Sequence, residues 1–221
     1  YYKIKSKCVN LYIDVDGNQT ANGTNVQVYT GNTSNAQQFK FKELSIRHGI
    51  DVSSHNGNVN WEEVRKSGKV DYAIIRAAYR GYESGKIVTD SKFERNIKNA
   101  EKNGIDIGLY FFTQAITEQE AVEEANYVLN LVRKHNVNVK YPIVIDTEYT
   151  PSRDGRADPL DVATRTAVCR AFCETIRNAG YTPAVYASRN WFYRSNFCKK
   201  GTILLYKHGK WPIRSGRGLC L

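Results

Sequence analysis

The chain has 221 residues, of which 41% are hydrophobic and 24% charged, and its formal net charge is +10. That length holds one large domain, or a medium domain with a small appendage, and the composition sits near globular averages, which excludes overall disorder. No apolar run approaches the roughly 18 residues a membrane span needs, so a soluble chain with no membrane partner is expected.

Tyr1-Tyr2-Lys3-Ile4-Lys5 lacks the apolar stretch of a secretory signal. Residues 1–46 read as short strands separated by turns. Lys3-Ile4-Lys5, Leu11-Tyr12-Ile13-Asp14-Val15, Val26-Gln27-Val28-Tyr29 and Phe39-Lys40-Phe41 alternate, with Asp16-Gly17-Asn18, Asn22-Gly23 and Gly31-Asn32 between them. The Leu-Tyr-Ile-Asp-Val-Asp-Gly stretch and the ending Asn35-Ala36-Gln37-Gln38-Phe39 resemble one repeat of a ricin-type β-trefoil lectin. That resemblance marks residues 1–48 as a lectin-like repeat and Asp14, Asp16, Gln37 and Phe39 as its lectin-like positions. A single repeat buries little apolar surface, so a hairpin acting as a tether is the alternative.

From residue 49 the rhythm changes. Ile50-Asp51-Val52, Tyr72-Ala73-Ile74-Ile75, Ile105 to Tyr110, Pro142-Ile143-Val144-Ile145 and Pro183-Ala184-Val185-Tyr186 are short apolar runs of the kind buried on both faces, and read as parallel strands. Helical stretches fall between them at 61–67, 91–103, 118–135 and 159–179. The third opens with Thr117 as N-cap and Glu120 at the capping-box position. Cys169 and Cys173 lie four apart on the fourth, as packed thiols; the five cysteines follow no metal-ligand spacing and no disulfide framework. Repeated βα units predict a parallel α/β sheet, either a (β/α) barrel or a doubly wound sheet. After Cys198 the chain turns basic and glycine-rich. Only Thr202-Ile203-Leu204-Leu205-Tyr206 reads as a strand there, which predicts an open sheet or an incomplete barrel.

The positive charge is uneven. Residues 1–48 hold six Lys/Arg against three acids, 49–197 twenty against nineteen, and 198–221 six against none. A near-neutral centre is a solvated enzyme surface rather than a nucleic-acid face, so no nucleic-acid partner is expected, while the basic flanks suit an anionic polymer.

In parallel βα folds functional groups gather at the C-terminal ends of strands. Asp146 and Glu148 stand at i and i+2 there, aimed to one side about 6.6 Å apart along the backbone. Two like charges side by side favour keeping one proton, as a general acid requires. Asp51 closes the first strand and can point into the same mouth. Acids after strands also cap helices, which is the plainer reading of each alone. Tyr79, Tyr82, Tyr110, Phe111, Tyr149, Tyr186 and Trp191 lie at or just after strand ends, and aromatic faces beside carboxylates suit a sugar cleft, though barrels bury aromatics as well. His48, His55, His135 and His208 are scattered, with His55 read as a solvent-exposed loop residue, and no metal site is expected. No phosphate loop, GxSxG elbow or HExxH occurs.

Residues 49–197 resemble the catalytic domain of the glycoside hydrolase family 25 lysozymes, the Chalaropsis-type muramidases. The motifs are Gly49-Ile50-Asp51-Val52-Ser53 with Asn56-Gly57, then Trp61, Arg76-Ala77-Ala78-Tyr79, Gly108-Leu109-Tyr110-Phe111, Asp146-Thr147-Glu148 and Tyr186-Ala187-Ser188. The resemblance implies a (β/α) barrel hydrolysing the β-1,4 bond between N-acetylmuramic acid and N-acetylglucosamine in bacterial peptidoglycan, without metal or cofactor, by a secreted or wall-associated protein. It makes Glu148 the general acid, has Asp146 orient or polarise the substrate's acetamido group or cationic centre, and gives Asp51 electrostatic support. Tyr79, Tyr110, Phe111, Tyr149, Tyr186 and Trp191 are then the substrate-binding set. Nothing after Phe197 matches the family's later Trp-Gln-Tyr type motif or its final-strand aspartate. The barrel is therefore expected to be incomplete, with residues 198–221 an atypical basic tail; a non-catalytic wall-binding protein is the alternative function.

Overall fold

A computed structural model describes residues 1–40 and 47–187 together with a strand at 203–206. The chain divides into two units, Tyr1–Ser45 and Ile46–Leu221.

In the first unit β1 (Leu11–Val15) and β2 (Val26–Thr30) form an antiparallel pair running from Leu11 opposite Thr30 to Val15 opposite Val26. Gly17 and Gly23 turn the chain between them with positive φ of 62° and 89°. The strands expected at 3–5 and from residue 39 shrink to single bridges, Lys5 to Tyr12 and Tyr2 to Phe39. Residues 41–46, which include the end of that second expected strand, lie outside the described residues.

The second unit is a curled parallel sheet. Its strands are β3 (Gly49–Val52), β4 (Tyr72–Arg80), β5 (Ile87–Thr89), β6 (Asp106–Phe112), β7 (Val139–Thr147), β8 (Pro183–Ala187) and β9 (Ile203–Tyr206). The order is β3-β4-β6-β7-β8-β9, every neighbouring pair parallel, with β5 antiparallel on the end of β4. Strand order that never reverses decides between the two architectures. A doubly wound sheet reverses at a switch point and carries helices on both faces, whereas right-handed crossovers in unbroken order keep the helices on one face. These strands are part of a (β/α) barrel, and β9 adds to it in the region expected to be tail.

The helices are α1 (Trp61–Lys66), α2 (Phe93–Lys102), α3 (Glu118–His135) and α4 (Val162–Asn178). Asn60, Thr117 and Asp161 cap α1, α3 and α4 by accepting the amide three residues on. Asp161 explains why α4 starts at 162 rather than 159. The capping box at α3 is only half formed: Glu120 accepts the Ile116 amide at 2.8 Å. None of these helices is long and apolar enough to cross a membrane.

Period-two alternation sorts the strand side chains into two layers. Ile75, Ala77, Leu109, Phe111, Ile143, Ile145 and Val185 face the helices and pack with Trp61, Ile97, Val128, Phe172 and Ile176. Tyr72, Ile74, Val144 and Ala184 face the concave side with Tyr110, Tyr141 and Tyr186 around them. Gly108 belongs in this inner layer, where a Cβ would lie 2.5 Å from Ile74 Cδ1 and 2.7 Å from the Pro142 carbonyl. In β4 the alternation is broken once. Arg76 pairs with Tyr110 and Ala78 with Phe111, so Ala77 is an extra residue in the ladder. That bulge shifts the remaining residues by one. Tyr79 therefore returns to the concave side, and Arg80 turns to the helices to meet Glu124 at 2.7 Å.

Candidate active site

The concave side opens at the C-terminal strand ends into a cleft of about 1050 Å³, above the usual range for a small-molecule pocket and suited to an oligomer. Each wall comes from a strand end. β3 supplies Asp51 and the turn Ser53 to Asn56, β4 supplies Arg76 and Tyr79, β6 supplies Tyr110 and Phe112, β7 supplies Asp146, Glu148 and Tyr149, and β8 supplies Tyr186. The turn after β3 is held by a capping box, in which Ser53 accepts the His55 amide and the Asn56 side chain accepts the Ser53 amide.

Tyr186 reports how closely the acids gather. Its phenol is pushed far up by burial first, then by the negative charges of Glu148, Asp146 and Asp51, so all three carboxylates lie within electrostatic reach of one hydroxyl. Tyr110 is pushed up in the same way, by burial and then by Asp146 and Asp51. Arg76 and a hydrogen bond with Ser53 act against that rise. Both phenols stay protonated across the physiological range and can donate hydrogen bonds into an acidic cleft.

The β7 end is anchored from behind. Thr147, between the two acids, is buried on the helix side and accepts a hydrogen bond from Arg165 of α4, at 3.0 Å. Arg165 also donates to the Ala157 carbonyl at 2.6 Å. The loop beyond Glu148 winds around Asp158, whose carboxylate accepts the Thr150 hydroxyl at 2.6 Å and the Gly155 amide at 3.0 Å. Arg156 then ties the loop to α3 through paired bonds to Glu120 of 2.8 and 3.1 Å.

Among the residues expected from the sequence, Asp51, Asp146, Glu148, Tyr79, Tyr110, Tyr149 and Tyr186 all line this one cleft. Phe111 does not. It is fully buried among the helices, because its position in β6 is out of phase with Tyr110, and Phe112 takes the place on the cleft. The alternation already visible at Tyr110 was the signal for Phe112. Trp191 lies outside the described residues. His55 is exposed, as expected of a loop histidine, and lines the cleft as well. Arg76 and Ser53 stand in recognised motifs, yet nothing in their spacing marks them as cleft residues. In the first unit Gln37 is fully buried and donates to Asp14 at 3.1 Å and to the Thr30 carbonyl at 2.9 Å, so these two lectin-like positions tie the segment together internally. Asp16 is exposed and Phe39 half-buried. Among the described residues no group of three His, Cys, Asp or Glu side chains is arranged to hold a metal ion. Cys169 and Cys173 are buried thiols.

A family model described as glycosyl hydrolases family 25 matches residues 50–208, well over half of the chain. The chain belongs to glycosyl hydrolase family 25. The family 25 match runs past residue 197 and includes β9, while a model for ricin-type β-trefoil lectin domain-like sequences matches residues 1–77. Two curated proteins are similar to it. Lysozyme M1 of Streptomyces globisporus is 28% identical over 130 residues, covering 59% of this chain and 42% of that protein. The autolytic lysozyme of Clostridium acetobutylicum is 26% identical over 148 residues, covering 67% of this chain and 40% of that protein. The chain thus spans about two fifths of the length of these curated relatives. Among solved structures, the modular autolysin LytC from Streptococcus pneumoniae, also solved with a synthetic peptidoglycan ligand, superposes with a TM-score of 0.60 at 25% identity. The superposition covers 86% of this chain and 45% of that one. The fold of this family 25 chain is therefore shared with that autolysin.

Proposed function

We propose that the chain is a peptidoglycan hydrolase, an N-acetylmuramidase acting on the β-1,4 bond between N-acetylmuramic acid and N-acetylglucosamine. The observation carrying this reading is that Asp51, Asp146 and Glu148 line one open cleft at the ends of parallel strands, with Tyr186 in the same cleft. Glu148 donates a proton to the departing glycosidic oxygen. Asp146 orients the acetamido group beside the reacting carbon, and Asp51 stabilises the positive charge that develops on the sugar ring. Water completes the cleavage and leaves a new reducing end. Tyr79, Tyr110, Phe112, Tyr149 and Tyr186 present faces and edges on which pyranose rings pack.

The lysozyme and autolysin names of the relatives favour a secreted or wall-associated place of action, with bacterial peptidoglycan as partner. Residues 1–48 form a lectin-like repeat preceding the catalytic unit from residue 49 onward. The test is Glu148→Gln assayed on purified peptidoglycan. Release of reducing ends falls at least about 100-fold while the glycan still binds; equal turnover by the variant overturns the assignment.

A further inference from the structure

Arg76 is 9% exposed, lines the cleft, and has its donors divided in an informative way. A guanidinium offers two parallel forks, one along Nε and Nη2 and one at the end between Nη1 and Nη2. The protein uses the first. Nε donates to Asp90 Oδ2 at 2.7 Å and Nη2 to Ser54 Oγ at 2.8 Å. Asp90 is itself fixed, accepting the amides of Ser54 at 3.0 Å and Lys92 at 2.8 Å. Burial pushes its carboxyl up, but those amides and Arg76 outweigh burial and hold it below the usual carboxylate range, so the pair stays charged. One face of the guanidinium lies toward Tyr79, with Cζ 5.2 Å from the ring centroid. Among the described residues no acceptor meets Nη1, and Nη2 has one N–H left. The end fork of a buried, immobilised cation is thus unspent in a cleft whose acidic lining residues are Asp51, Asp146 and Glu148.

Two parallel N–H groups at that spacing match a carboxylate, and a rigid fork that has already lost its rotamer freedom binds one at little ordering cost. Without such a cation the three acids would repel any anionic substituent of the substrate. We infer that the Nη1/Nη2 edge of Arg76 is a carboxylate subsite, taking an anionic group of the muramyl unit or its attached peptide. This rests on the peptidoglycan reading above and adds to it a residue that selects charged glycan. The carboxylate has two sources. Peptide-free strands expose the lactyl carboxylate of muramic acid; peptide-bearing strands have that group tied up as an amide and offer stem carboxylates instead.

The ligand-side experiment needs no change at Arg76. The Glu148→Gln protein, which holds glycan without cleaving it, is titrated with peptide-free muramyl oligosaccharides, with the same oligosaccharides after conversion of their carboxylates to methylamides, and with peptide-bearing strands. Capping the carboxylates weakens binding roughly 10- to 100-fold, the loss expected for a charge-assisted pair. In Arg76→Gln, and in an Arg76→Gln/Asp90→Asn pair that leaves no buried charge behind, the capped and free ligands bind alike. Tighter binding of peptide-free strands assigns the lactyl group, and tighter binding of peptide-bearing strands assigns the stem. Equal affinity for capped and free oligosaccharides in the Glu148→Gln protein overturns the subsite. If the unsubstituted protein cleaves peptidoglycan in that case, the muramidase reading stands alone. Absence of both cleavage and glycan binding overturns the two together.

Discussion

The guanidinium of Arg165 meets the hydroxyl of Thr147 at 3.0 Å, and Thr147 is flanked by Asp146 and Glu148. Because alternate residues of a strand point to opposite sides, whatever fixes Thr147 from the helix side also fixes the aim of the two acids on the cleft side. Thr147→Val removes the acceptor at nearly constant volume. Misplacing catalytic groups by about 1 Å costs on the order of 100-fold in rate. The expected result is kcat reduced 10- to 100-fold with KM little changed, and Thr147→Ser restoring most of it. Steady-state kinetics on soluble peptidoglycan fragments, beside a melting curve, separate this from a general loss of fold.

Tyr186 lines the cleft with Asp51, Asp146 and Glu148, and burial keeps its phenol protonated as a donor. Tyr186→Phe keeps the ring and removes the donor, so glycan affinity should change little while kcat falls about 100-fold, the range seen when one preorganised donor is deleted from an active site. Parallel measurement of binding and of reducing-end release decides it; a purely affinity-based loss would assign the ring, not the hydroxyl, to the reaction.

Gly155 sits where a Cβ would come within 2.3 Å of Thr150 Cγ2 and 2.7 Å of Gln114 Oε1. Gly155→Ala therefore forces apart the loop that Asp158 gathers. A cost of about 1–3 kcal/mol is expected from overpacking, read as a lower denaturation midpoint in urea.

Glu124 is fully buried between Arg80, at 2.7 Å, and the Thr113 hydroxyl, at 2.6 Å. Burial pushes its carboxyl up to about 7, against the pull of Thr113 and Arg80. A carboxyl raised on folding binds its proton more tightly in the native state, so stability is greatest below the unfolded value of about 4.5 and falls as pH rises through about 7. The change is on the order of 3 kcal/mol. Glu124→Gln, which mimics the protonated form, should flatten this part of the stability profile. Chemical denaturation of both proteins at pH 5 and pH 8 checks the sign: the variant gains relative stability at the higher pH.

The βα rhythm was legible because strands buried on both faces are nearly continuous apolar runs, as at Ile143-Val144-Ile145, and because helix caps such as Thr117 leave a local signature. The acids at 146 and 148 were legible for the same reason, standing where such a run stops. Choosing a barrel over a doubly wound sheet required strand order, which no local pattern encodes. Phe111 was misplaced because two adjacent aromatics at a strand end look alike until the phase of the strand is counted. Arg76 was hidden differently. A cation between two apolar runs has no periodic signal, and its partner Asp90 is fourteen residues away across the β4–β5 connection.

The extra residue at Ala77 makes β4 a strand written in two reading frames. Its first half sends even-numbered side chains inward, Tyr72, Ile74 and Arg76, and its last turns send the odd-numbered Tyr79 there. Pairing the same residues through Ala77 without the bulge would leave the hydrophobic content untouched. Tyr79 and Arg80 would nevertheless exchange places, setting an aromatic ring against Glu124 and a second guanidinium among the acids. The bulge, rather than the composition of β4, therefore decides which of two adjacent side chains enters the cleft.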